Sequence, residues 1–420
     1  MKLEKDEIEL LEGKRGALWQ KIIKSVILYG EIFGAEKLVP IEGTAHFVTS
    51  FGANMIKPYF DILDELINAG IKNPKPFTVD PRPFDPINVK YSLLERIIFN
   101  FIYGKQKKCE EQLQKLGILN EKAYSCTCYL EEIGNIPEKG QILAWSESSA
   151  VVYVNSVIGA RTNRNSAGID VLCNVLGKAP YFGFLTEEGR KANWLIKIQV
   201  KKLPNPQLLG SAIGLTVMED VPYIVGLSDL IGTELNEDVK DYLKDLGAAA
   251  ASNGAVGLYH IENLTPEAKE HGRELLRNDY STYVIDEKEL EKVYSSYPLL
   301  WKKENGKPQI CFIGCPHCSL NQIYWWFENI KIRIKEKGKL NIITYICAAL
   351  PVIDKVKNDK KTFEEMKKIG IKLTSICPLM YMNNPICSKK RVITNSNKLR
   401  TYSTARFYPD EELLEILTKD

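Results

Sequence analysis

A chain of 420 residues is long enough for two or three domains, each with its own core. A formal net charge of +3 with 26% charged residues excludes the strong field that nucleic acid or a membrane surface would require. The charged start lacks an apolar signal core, and no apolar run reaches bilayer length. A cytoplasmic protein with neither nucleic-acid nor membrane partners is therefore expected.

Residues 5–36 read as helical, with Ile8, Leu11, Leu18, Ile22, Ile23 and Val26 roughly on one face. The run 37–52 reads as a short strand and then a loop carrying Gly43 and His46. An amphipathic helix is expected over 58–69, closed by Gly70. Residues 72–86 hold five prolines and read as an extended loop, and helix returns over 91–116.

The chain is densest in chemistry over 126–164. A helix over 146–158 would bury Ala150, Val151, Val154 and Val157 and leave Gly159 at its exit. Glu147, Ser148, Ser149, Asn155, Ser156, Arg161, Thr162, Asn163 and Arg164 share this span. Small neutral donors beside paired arginines point to a site for an anionic ligand, and equally to a helix contact lined by small residues.

Beyond it, 168–180 reads as a helix ended by Gly177 and Pro180, and 194–206 has strand alternation. Apolar runs alternate with acidic helical pieces over 209–246. A small-residue helix, a buried strand and a loop follow over 247–268. From 308 onward strands and helices alternate, with helices expected over 319–338, 361–370 and 410–418. This predicts an α/β chain with parallel or mixed sheets, divided at 1–120, 121–305 and 306–420.

Ten cysteines in a cytoplasmic chain are shared among metal binding, redox chemistry and burial. Cys109, Cys173, Cys311 and Cys347 lie in helical or strand patterns and read as core. Cys126/Cys128, Cys315/Cys318 and Cys377 with Cys387 lie beside turns or polar residues. A strand, Cys315-Pro-His-Cys318 and a helix make a thioredoxin-like redox arrangement, which would use Cys315 and Cys318 together. Alternatively Cys315 and Cys377, at the carboxyl ends of two strands, point into one crevice, where Cys126 would complete three ligands. Three thiolates on a four-iron cluster leave one iron open as a Lewis acid, and a four-cysteine zinc site is a further alternative.

The run CTCYLEEIGNIPEKGQILAWSESSAVVYVNSVIGARTNR resembles the signature of the large subunit of the aconitase X family. GKAPYFGFLTEEGRKA, GLYHIENLTPEA, GCPHCSL and ITNSNK follow in the family's order. The resemblance implies an aconitase-like multi-domain α/β/α architecture and a hydro-lyase acting on a small hydroxy acid. Its branches dehydrate 5-phosphomevalonate or cis-3-hydroxy-L-proline. It further implies an iron–sulfur cluster, of 4Fe-4S type with one open iron, on Cys126, Cys315 and Cys377. Substrate contacts would come from His46, Ser148, Ser149, Arg161, Asn163, Arg164, Asn395, Ser396 and Lys398. The family's proton-removing serine sits on a swivel domain, which this chain does not carry, so a small partner subunit is expected. Asn165, Ser166 and Ala167 stand where the phosphomevalonate branch has Glu-Gly-Gly. GTAHFVTSFG and TNSNKLRTYS also depart from the family's pattern, all in stretches expected to touch substrate.

Overall fold

The computed structural model describes residues 1–49, 57–303, 305–334 and 338–419. Two parallel sheets organise it. In the first, the strands Ile371–Thr374, Ile343–Ala348, Ile310–Cys318, Val392–Thr394 and Arg406–Phe407 lie in that spatial order, every pairing parallel. The chain starts at Ile310–Cys318, works outward to one edge, and returns to the other side through Val392–Thr394. That reversal makes a topological switch point, where the carboxyl ends of neighbouring strands part and leave a crevice. The second sheet orders His260–Ile261, Pro222–Val225, Ala192–Ile198 and Leu276–Ile285, again all parallel.

Two helices join these sheets into one core. Pro206–Val217 starts with proline in its first turn behind an Asn205 cap, and Glu237–Asn253 is capped by Asn236. Their axes approach closely because Gly210 and Gly214 face the carbonyls of Leu246 and Ala250. A Cβ at Gly210 would lie 2.1 Å from the Leu246 oxygen. The small-residue run at 247–252 belongs to this contact. Leu209, Leu243 and Leu246 share the resulting core with Ile196 and Ile224 of one sheet and Ile313 and Ile393 of the other.

Several expectations shift in detail. The helical stretch 5–36 is two helices, Lys5–Leu11 and Ala17–Ile32, because Gly13 and Gly16 take positive φ between them. The stretch 91–116 is divided at Gly104, the C-cap of the first helix, into Leu93–Tyr103 and Gln106–Leu116. His46 belongs to a strand, Ala45–Phe47, which pairs in parallel with Phe77–Val79 inside the proline-rich run. The end of the loop expected over 37–52 lies outside the described residues. Leu320–Ile334 forms the helix expected over 319–338, of which 335–337 lie outside the described residues too. The last helix is Asp410–Thr418, its first turn acidic as the helix dipole favours. Among the described residues no helix is long and apolar enough to cross a membrane.

One buried knot supports the second sheet. Arg190, 1% exposed, is bound through Nε and Nη2 to the two oxygens of Glu267 at 2.7 and 2.8 Å. His260 directs Nε2 at the Arg190 carbonyl, 2.8 Å away. A carbonyl only accepts, so Nε2 carries the proton. Burial pulls this ring down to about 4 from its ordinary 6.5. The neutral ring thus contributes stability that is full above pH 6.5 and lost as pH falls through 4. Urea unfolding of wild type and His260→Gln is expected to show the wild-type advantage shrinking by about 3 kcal/mol from pH 7 to pH 4.

Candidate functional site

A cavity of about 720 Å³ opens where the strands of the five-stranded sheet end. Gly314 and Cys315 belong to the central strand, and Lys398 follows Val392–Thr394 across the switch point. Cys377 follows Ile371–Thr374 and caps the short helix Pro378–Met382. The opposite wall comes from the small parallel sheet. Val48 and Asp80 follow its two strands, and Ser125 N–H bonds the Val79 carbonyl at 2.7 Å, delivering Cys126 beside them. Cys126, Cys315 and Cys377, from distant parts of the chain, therefore line one cavity.

A third wall is the start of the expected central helix. It begins two residues late, at Ser148, because Glu147 is its N-cap and accepts the Ala150 N–H at 2.6 Å. Its last turn, Val154–Ile158, is a π-helix. There Asn155 turns inward to bind the Thr162 and Gly257 carbonyls at 2.9 and 2.8 Å, and Gly159 closes the turn at φ 83°. Ser146, Glu147, Ser148, Arg164, Asn165, Ser166 and Ala167 face the cavity.

Glu147 and Lys398 form a buried ion pair in that wall, and Ser149 Oγ lies 3.0 Å from the ammonium. Burial would raise the Glu147 carboxyl, but the Lys398 charge outweighs it and holds the group at about 2. Burial alone would lower Lys398, whereas Glu147 takes it above the ordinary lysine range. Burial also pushes up the thiols, Cys126 well above its ordinary value, Cys377 to about 12, and Cys315 upward, with Lys398 opposing the rise at each. Thiolates at these positions need a nearby cation. Among the described residues no three of His, Cys, Asp and Glu converge as ligands of one ion do. The three thiols stand around the walls of one cavity, and thiolates are the ligand type that an iron–sulfur cluster takes.

Of the anticipated substrate contacts, Ser148, Arg164 and Lys398 line the cavity. Arg164 is half-buried and makes no hydrogen bond or ion pair among the described residues, which leaves its fork free for a ligand. The others are engaged elsewhere. Arg161 turns to Glu187 at 2.6 Å and to the Leu185 carbonyl. Asn163 accepts the Phe184 N–H at 2.8 Å and donates to the Phe182 carbonyl, fastening that loop. His46 is enclosed, with Nδ1 2.9 Å from Thr78 Oγ1 and Nε2 3.5 Å from Asp80, so it stands behind the wall. Ser149 braces Glu147. Asn395 accepts from Gly314 N–H at 3.4 Å and donates to Asp410, while Ser396 caps the helix Asn397–Thr401 and donates to the Cys315 carbonyl. These two hold the part of the strand that carries Cys315 in place.

Asp80, hidden in the proline-rich run, carries no signal of its place in the cavity wall, whereas Glu147, a carboxylate before two serines, carries an N-cap signal. His317 also lines the cavity, and in the sequence it stands only as part of CPHC. The thioredoxin-like arrangement is not formed. Cys315 lies within the strand Ile310–Cys318, the helix starts only at Leu320, and burial raises Cys318. Cys128 and Cys387 are fully buried in separate cores, the latter 3.8 Å from Glu95.

Comparison with known proteins agrees with this geometry. Residues 1–188 match the family model for the aconitase X first domain, and 192–295 that for the aconitase X second domain. The phosphomevalonate dehydratase large subunit of Methanocaldococcus jannaschii is 30% identical over 99% of this chain and 100% of its own length. That of Thermococcus kodakarensis is 31% identical over 84% of this chain and 82% of its own. The crystal structure of Thermococcus kodakaraensis aconitase X in its holo-form superposes with a TM-score of 0.81, at 28% identity, over 99% of each chain. With the switch-point crevice, the three cysteines around it and these matches along its length, the chain belongs to the aconitase X family.

Proposed function

We propose that this chain is the large subunit of a hydro-lyase that removes water from a small hydroxy acid, with 5-phosphomevalonate as substrate. The observation that carries the reading is the meeting of Cys126, Cys315 and Cys377 in one cavity beside the unengaged Arg164. A relative called a phosphomevalonate dehydratase large subunit is matched along its whole length, which supports the substrate. Cys126, Cys315 and Cys377 would hold an iron–sulfur cluster, of 4Fe-4S type. Such a cluster with three protein ligands supplies a Lewis-acidic iron toward a departing hydroxyl.

The chain's own groups do the rest. Arg164 clamps the substrate's phosphate or carboxylate through paired N–H donors. Ser148, on the first turn of its helix, donates a further hydrogen bond. Lys398 and Glu147 form a fixed dipole in the wall, set before substrate arrives. Asn165, Ser166 and Ala167 shape the wall where the resemblance expects other residues, and so set specificity. A small swivel-domain subunit brings the group that removes the carbon-bound proton, a reading supported by the relatives' designation as large subunits.

The test is anaerobic purification with and without the small subunit, iron and sulfide analysis, and dehydration assays on 5-phosphomevalonate and cis-3-hydroxy-L-proline. Turnover of the phosphorylated acid by the two-subunit enzyme alone is expected. Robust turnover by the single chain would sink the partner assignment, and preference for hydroxyproline the substrate. Arg164→Ala is expected to raise KM for the phosphorylated acid about 10- to 100-fold, the worth of a charge-assisted hydrogen bond. An unchanged KM would remove Arg164 from the anion clamp.

A further inference from the structure

His317 touches all three cysteine-bearing segments. It lies on the end of the strand Ile310–Cys318, two residues after Cys315, and its backbone N–H donates to Cys126 Sγ at 3.3 Å. Its ring Nδ1 is 3.2 Å from Ser125 Oγ, one residue before Cys126. Its Nε2 is 3.3 Å from the carbonyl of Ile376, one residue before Cys377. The carbonyl can only accept, so Nε2 carries the proton, and Nδ1 is left to accept the Ser125 hydroxyl. Ser125 Oγ in turn accepts the Thr127 N–H at 3.1 Å, which fixes the turn holding Cys126. The His317 carbonyl accepts from buried Lys244 at 3.1 Å, tying the strand end to the helix between the two sheets. Although His317 lines the cavity, it is only 1% exposed and both ring nitrogens are occupied. It therefore has no lone pair to offer a metal or a substrate.

We infer that His317 is a positioning residue that sets the mutual spacing of the Cys126, Cys315 and Cys377 thiols and so governs retention of the metal group they hold. The inference rests on the proposed cluster. The three thiols come from separate segments, so their spacing depends on contacts between those segments, and His317, on the Cys315 strand, supplies contacts to the other two. Partners that orient metal ligands in this way typically change metal affinity about 10- to 100-fold when removed.

The experiment compares anaerobically purified wild type, His317→Ala, His317→Asn and His317→Gln. Iron and sulfide content, the electron paramagnetic resonance signal, and the rate of iron loss to a chelator are measured. Thermal unfolding of each metal-free chain is recorded separately. His317→Ala is expected to lose iron at least about tenfold faster than wild type, with an altered resonance signal. The metal-free chains should melt within a few degrees of one another. Asn keeps an acceptor near Nδ1 and Gln a donor near Nε2, so each should recover part of the retention. Wild-type retention in His317→Ala would overturn the inference, as would loss that follows metal-free stability across the three variants. A wild-type chain that takes up no iron overturns both the cluster and this role. A wild type that loads normally beside an unaffected His317→Ala overturns this role alone.

Discussion

Cys315→Ala is expected to yield a colourless, iron-poor protein whose dehydratase activity falls on the order of a thousandfold, the scale of losing Lewis-acid assistance to a departing hydroxyl. The thiol sits on the central strand at the switch point, and the nearby thiols cannot replace it. Cys318 ends the same strand yet does not line the cavity, and Cys347 is fully buried on the neighbouring strand. The fold should survive, since removal of one small buried sulfur costs about 1 kcal/mol. Circular dichroism and unfolding of the metal-free variant check that point. Cys318→Ala is the informative contrast. It should keep its iron, whereas a dithiol mechanism would need both sulfurs. Equal loss in the two variants would contradict the assignment of Cys126, Cys315 and Cys377 as the ligands.

Lys398→Met is expected to destabilise the chain by about 3–5 kcal/mol at pH 7, because Glu147 is left as a buried carboxylate without its counter-charge. Lys398 is 8% exposed and Glu147 6%, so water cannot take over the lost partner. The sign with pH follows from Glu147, which Lys398 holds at about 2 against an ordinary 4.5. Its contribution is full above pH 4.5 and lost as pH falls toward 2, so the penalty of Lys398→Met should shrink in acid. Lys398→Met combined with Glu147→Gln should recover most of the loss, since the buried charge leaves with its partner. Urea unfolding of the single and double variants measures both effects. A penalty below about 1 kcal/mol at pH 7 would mean that the pair is effectively solvated.

Much of this architecture is legible in the residues. Glycines mark real ends, as at Gly177 after Ile169–Leu176, and the alternation from 308 onward forms the parallel sheet. The three cysteines flagged as ligands line one cavity because a strand end or turn is where a thiol can leave the core. Side-chain direction in the central loop was not legible. Arg161 and Arg164 are equivalent as text, yet Arg161 is claimed by Glu187 and the Leu185 carbonyl, which spacing cannot foresee. Asn163 looked like a ligand contact because the loop it fastens, at Phe182 and Phe184, follows much later in the chain. His46 reads as a loop residue because a three-residue strand leaves too short an alternation to register.

The wide separation of the cavity walls along the chain has a consequence for biosynthesis. A nascent polypeptide emerges from its amino end, so the segment with Cys126 and Glu147 exists well before those with Cys315, Cys377 and Lys398. Until the strand Val392–Thr394 has been made and docked beside Ile310–Cys318, there is no switch point, and Glu147 lacks its lysine. The enclosure around Cys126, Cys315 and Cys377 accordingly forms only once the chain has been made past Lys398. A product of premature termination before residue 392 would leave Cys126, Cys315 and Cys377 without the wall that Lys398 completes and Glu147 without its counter-charge.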